Sequence, residues 1–149
     1  MKLTIAVVTV LTLAAAAVTV VQLRATPGSR IGPVQTELDP LIARCHGLAG
    51  ARSARWRFWR LEPPAWAPEV GTDQYALEVL VTVPAGKSAA LRKASGWTPG
   101  APVSVDEQLV AHVPDGVWLM SEFELCAGYQ GRVFTKDGTT VFYALLNTM

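Results

Sequence analysis

The chain is poor in the side chains that carry out chemistry. Its 149 residues include two cysteines, Cys45 and Cys126, and two histidines, His46 and His112. Zinc sites usually draw on Cys or His pairs set a few residues apart. The only close pair here is the adjacent Cys45-His46, a poor geometry for one ion. No metal or other cofactor is expected. A thiol nucleophile with a base and an orienter has only Cys45, the two histidines and Asp106 to draw on, and pairing Cys45 with Cys126 would remove the nucleophile. Ala85-Gly86-Lys87-Ser88 has the ending of a phosphate-binding loop. The glycine needed five positions before Gly86 is replaced by Val81, so the backbone cannot form the cradle. No catalytic residue is assigned.

An excess of charge of either sign is also missing. The chain carries 13 Lys+Arg against 12 Asp+Glu, and residues 25–149 carry 11 against 12. General nucleic-acid binding needs a clear basic excess, so it is not expected. There are no internal repeats and no low-complexity tracts. With half its residues hydrophobic, the chain is not expected to be disordered.

What is present begins at the N-terminus. Leu3 to Leu23 is an uncharged, mostly apolar run closed by Arg24. It matches the ~20 residues a helix needs to cross a bilayer. Residues 1–24 are therefore expected to be a signal-anchor, a single transmembrane helix. The alternative is a cleaved signal peptide, with Lys2 as the basic region and Ala14-Ala15-Ala16 as the cleavage site, and a secreted product. Against cleavage, the apolar run continues past Ala16 to Leu23. No cysteine closely follows the run, so a bacterial lipoprotein is not expected. Lys2 on one side nearly balances Arg24 and Arg30 on the other, so the positive-inside rule does not settle orientation. The even pair of cysteines favours an oxidising compartment, and a Cys45–Cys126 disulfide is expected there.

Residues 25–36 carry Pro27, Gly28, Gly32 and Pro33 without periodicity and read as a linker. The domain then occupies 37–149. Asp39-Pro40 suggests a helix start, with Leu41, Ile42, Cys45 and Leu48 on its apolar face and Gly47 or Gly50 at its end. Residues 52–61 and 74–83 alternate and read as two half-buried strands around a Pro-rich loop. Residues 85–95 read as a helix, and 97–100 as a turn. Ser104 to Glu107 reads as a capping box opening a short helix to His112. Residues 117–126 fit a strand better than a helix. Asp137-Gly138 marks a hairpin, and Val141 to Leu146, apolar on both faces, reads as a central strand. The fold class is α+β: an antiparallel sheet of four or five strands with two or three short helices.

Two patches invite a functional reading. Arg55, Arg57 and Trp59 share one face of the first strand and form a candidate interaction surface for anionic lipid headgroups or an envelope protein. Matching the strands' core faces puts Glu78 near Arg57 on the exposed side, so this pair is also read as an exposed ion pair, of the kind that contributes under ~1 kcal/mol. Trp56 and Phe58 would face the core. Glu122 and Glu124 would lie about 7 Å apart on one strand face, a spacing compatible with an acid–base pair. The expected protein is a membrane-anchored, extracytoplasmic, non-catalytic binding or assembly module. The alternatives are a small secreted hydrolase using Asp or Glu, or a structural subunit of an envelope complex whose anchor bonds a neighbouring helix through Thr4, Thr9, Thr12 and Thr19.

Overall fold

The structure is a computed structural model and describes residues 32–61, 73–94, 96–102 and 107–148. The segment 1–24, linker residues 25–31, the Pro-rich loop at 62–72 and capping-box residues Ser104–Asp106 lie outside them. Among the described residues no helix is long and apolar enough to cross a membrane.

β1 (Ser53–Leu61) and β2 (Gln74–Thr82) form an antiparallel pair with Ser53 opposite Thr82 and Leu61 opposite Gln74. Later in the chain, β3 (Thr98–Pro99), β4 (Trp118–Ser121), β5 (Tyr129–Lys136) and β6 (Val141–Thr148) pair antiparallel in succession. β2 joins the two groups by pairing with β6, so the six-stranded sheet has the order β1-β2-β6-β5-β4-β3. β6 is internal, as its two apolar faces require.

The sheet has six strands rather than four or five because the segment read as a turn contains β3. Two residues beside a proline give no alternation to recognise, and Pro99 is tolerated because this is an edge. The strand expected over 117–126 holds only for Trp118–Ser121. The helix expected to reach His112 is described over Glu107–Val110, here α3.

α1 (Leu38–Arg44) begins earlier than Asp39-Pro40 suggested, with Glu37 at its N-cap. Asp39 falls inside the first turn, where its charge suits the helix dipole. Pro40 falls there too, where its missing N–H is not needed. A single 3₁₀ turn (His46–Leu48) follows. Leu41, Cys45 and Leu48 are fully buried against the sheet face formed by Ala54, Trp56, Leu77, Val79, Val81, Phe142, Ala144 and Leu146. α2 (Ala85–Ala94) covers the same face through Leu91. Lys87 Nζ donates to the Ala49 carbonyl at 2.9 Å. Gly86-Lys87-Ser88 is thus a strand-to-helix turn pinned to the 3₁₀ segment.

Two polar devices hold these layers together. Cys45 and Cys126 form a disulfide, both fully buried, with Cα atoms 4.5 Å apart. It ties the end of α1 to the β4–β5 connection, 81 residues away in sequence. The chains meet closely there: a Cβ on Gly47 would fall 1.8 Å from the Leu125 carbonyl oxygen. The second device is Arg92 of α2. Its Nη2 donates to Thr135 Oγ1, the Lys136 carbonyl and the Thr139 carbonyl at 2.9, 2.6 and 2.7 Å. It thereby caps the β5–β6 hairpin, whose turn contains Asp137 and a left-handed Gly138 (φ +68°).

Reduction of the disulfide, or Cys45→Ala with Cys126→Ala, should lower unfolding free energy by about 2–5 kcal/mol, measured by denaturant titration. A second expectation concerns Gly131. Its φ is +155°, and a Cβ there would fall 2.1 Å from the Leu145 carbonyl oxygen. Gly131→Ala should cost about 2 kcal/mol or more, because the obstructing atom is backbone in a paired strand. Gly86→Ala, in the first turn of α2 with nothing within 4 Å, should instead stabilise by up to about 1 kcal/mol. The same titrations check both.

Candidate functional site

The candidate surface on β1 is divided by the fold. Arg55 is exposed and Trp59 is half-buried. Arg57 is 5% exposed and Glu78, directly opposite it, is 3% exposed. The expected solvent-facing ion pair is therefore an interior feature. The cause is the second face of the sheet, which has its own apolar cluster of Leu80, Trp118, Phe134 and Tyr143, with Val113 packed on it from the segment after α3. The Tyr143 hydroxyl donates to Glu78 Oε1 at 2.6 Å. Arg57 Nε donates to the Gly32 carbonyl at 2.9 Å. These bonds give Arg57 Nε and Glu78 Oε1 partners inside the fold, where an unbonded polar atom is costly. Trp56 faces the core as expected and is almost fully buried, whereas Phe58 on the same face is half-buried at the rim.

The chain before α1 lies along the outer edge of β1. Gln35 and Trp56 exchange backbone hydrogen bonds of 2.8 and 3.0 Å. Trp56 Nε1 donates to the Glu37 carbonyl at 2.9 Å. A Cβ on Gly32 would sit 2.6 Å from the Phe58 carbonyl oxygen, so this approach requires glycine. Pro33 and Gly32, which mark the stretch as a linker, also let it lie close against the strand.

Among the described residues, two depressions bring polar side chains together. The first, of about 570 Å³, is lined by Glu122, Glu124, Tyr129, Gln130, Arg132 and Asn147 among others. Glu122 and Glu124 lie in the connection after β4, not on one strand face as expected. Glu124 Oε1 accepts the Gly128 N–H at 2.9 Å, and Glu122 lies 3.5 Å from Arg132 Nε. Both carboxylates are exposed and each has a local partner.

The second depression, of about 450 Å³, is lined by Thr36, Leu38, Arg52, Ser53, Ala54, Arg55, Leu80, Thr82 and His112. Sequence reading joined Arg55 to Arg57 and Trp59, its neighbours on one face of a strand. The fold joins it instead to Arg52, His112 and Thr36. No spacing rule connects residues 36, 52, 55 and 112, so this grouping had no signal in the sequence. The sets built on Cys45 dissolve, because Cys45 is bonded to Cys126 and no cluster of three metal-ligating side chains occurs among the described residues.

Arg57→Ala should cost about 2–4 kcal/mol, because it removes a buried guanidinium and the bond it makes to Gly32. Arg55→Ala should stay within about 0.5 kcal/mol, as substitutions of exposed side chains do. Thermal or denaturant melts of the two variants make the comparison. Equal effects would contradict the burial of Arg57.

No protein-family model, curated protein or solved structure matches this chain, so a function must be read from the sequence and from this geometry.

Proposed function

We propose that the chain is a membrane-anchored protein whose domain, residues 37–149, lies on the extracytoplasmic side and serves as a non-catalytic binding or assembly module of the cell envelope. The observation that carries this reading is the buried Cys45–Cys126 bond. Structural disulfides of this kind persist in oxidising compartments and are rare in the cytosol. It joins the uncharged Leu3–Leu23 run, whose length suits a single span. Docking of residues 32–37 on β1 adds a positional argument. Only residues 24–31 separate the end of the apolar run from the first docked residue, a reach of at most about 28 Å when fully extended. The domain would be held near the bilayer and would meet partners there.

A binding role fits the side chains better than hydrolysis. Glu122 and Glu124 are exposed and locally bonded, and Cys45 is not a thiol. Arg55 and Trp59 remain the accessible part of the surface expected on β1.

The protein should resist alkaline carbonate extraction from membranes, and mass spectrometry should find the N-terminal segment retained. A mature chain starting between Ala17 and Ala25 would replace the anchored form with a secreted one. Alkylation of both cysteines in native, unreduced protein would overturn export. Photocrosslinkers placed at positions 55 and 59 should give adducts with an envelope component in intact cells, whereas hydrolytic activity abolished by Glu122→Gln or Glu124→Gln would favour the enzyme reading.

A further inference from the structure

We infer that the depression beside Arg52 and Arg55 is a binding site for a phosphate-type oxyanion. The inference deepens the reading of the protein as a binding module by naming the chemistry its surface recognises, and it rests on that reading only for where the ligand comes from.

The arginines provide the first observation. Of the seven arginines among the described residues, five are engaged. Arg44 bonds the Pro40 carbonyl and lies over the Trp56 and Phe58 rings. Arg57 bonds Gly32, Arg60 pairs with Asp73, Arg92 caps the hairpin and Arg132 pairs with Glu122. Among the described residues the guanidinium groups of Arg52 and Arg55 have no hydrogen-bond, ion-pair or ring partner. These two line the same depression.

The rest of the lining provides the second. His112 adds a third group able to carry positive charge, and Thr36, Ser53 and Thr82 add three hydroxyls. No lining residue among those described is a carboxylate. The nearby Glu37 is turned onto the Thr36 backbone, accepting its N–H through Oε2 at 3.3 Å. Ser53 and Thr82 are directly opposite on the β1–β2 pair, so their side chains leave the sheet on one face, with Arg55 and Leu80. The site combines a rigid two-strand floor, two free guanidinium forks and several hydroxyl donors. Guanidinium forks match the paired oxygens of phosphate, and hydroxyls complete its coordination. In a domain of near-neutral charge, two unpaired arginines that line one depression, with no carboxylate among its described lining residues, are an electrostatic vacancy for an anion.

Two sources share this chemistry. One is a lipid phosphodiester of the membrane that holds the anchor. Thr36, in the lining, belongs to the stretch docked on β1 and follows its first residue, Gly32, by four positions, so a short run of chain joins the site to the tether. The other is a free phosphorylated solute.

The test uses the full chain in zwitterionic detergent, with inorganic phosphate titrated while NMR follows the Arg52 and Arg55 Nε–H and His112 ring signals. Saturable shifts are expected at all three. Arg52→Gln and Arg55→Gln, measured singly and together, should leave thermal stability unchanged because both side chains are exposed and unpartnered. The double variant should weaken phosphate binding at least tenfold. Arg60→Gln, outside the depression, should bind as the parent does. The titration is then repeated in nanodiscs with and without phosphatidylglycerol. An apparent phosphate affinity at least tenfold weaker in the anionic discs identifies a lipid headgroup as occupant. Equal affinity in both identifies a free anion. Either result supports the site. Absence of saturable shifts in detergent, or a double variant that binds like Arg60→Gln, overturns it. The detergent titration does not depend on where the protein resides, so a cleaved or misplaced anchor would not be mistaken for failure of the site.

Discussion

The structure depends on the pairing of β2 with β6. Residues 76–82 run antiparallel to 141–147, from Ala76 opposite Asn147 to Thr82 opposite Val141. β1 and β2 pair with each other, and β3 to β6 form an antiparallel succession. Each group alone would expose an apolar face, and only their junction makes one sheet with a continuous core. Leu77, Val79 and Val81 meet Phe142, Ala144 and Leu146 on one face, while Leu80 and Tyr143 meet on the other. A contact so distant in sequence carries a closure cost that local pairing does not. The burial of β2 and β6 on both faces is what offsets it.

That burial also explains the polar interior. β2 is covered on both faces and offers Glu78 no solvent side, and Arg57 on β1 lies directly opposite it, so each must find a partner inside. Glu78 receives the Tyr143 hydroxyl, and Arg57 reaches the Gly32 carbonyl across the sheet edge. The second bond has a structural consequence, since it fastens the chain leading into α1. Together with the Gln35–Trp56 bridge and the Trp56–Glu37 bond it covers an edge that would otherwise be open to pairing with other chains. The opposite edge is protected differently, by a strand of two residues that includes a proline.

The arginines show how the fold separates structure from recognition. Arg57 and Arg92 are committed to holding elements together, one at the sheet edge and one at the β5–β6 hairpin. Arg52 and Arg55, near them in sequence or alike in chemistry, are left at the surface without partners. A guanidinium already bonded to backbone carbonyls has little left for a ligand, whereas one without a partner keeps its full donor set. This difference is a property of tertiary position, since nothing in the run from Arg52 to Arg60 marks Arg57 as interior and Arg55 as free.

The sequence by itself determined the α+β class, the pairing of β1 with β2, α2, the central place of β6 and the two cysteines available for one bond. These follow from periodicity, turn chemistry and residue count, which are local. It also held a sign that β2 is covered on both faces: Ala76 and Leu80 flank Glu78 on the side assigned to solvent, and β6 is apolar on both faces from Val141 to Leu146. Only the tertiary structure decided that Arg57 and Glu78 are buried, that Thr98–Pro99 extends the sheet, that Glu122 and Glu124 leave it, and that Arg52, Arg55, His112 and Thr36 share one depression. Each of these depends on what packs across from a residue, which no periodicity encodes. Alternation reports that a strand has two faces, but whether the second face meets water or a second layer depends on segments far along the chain.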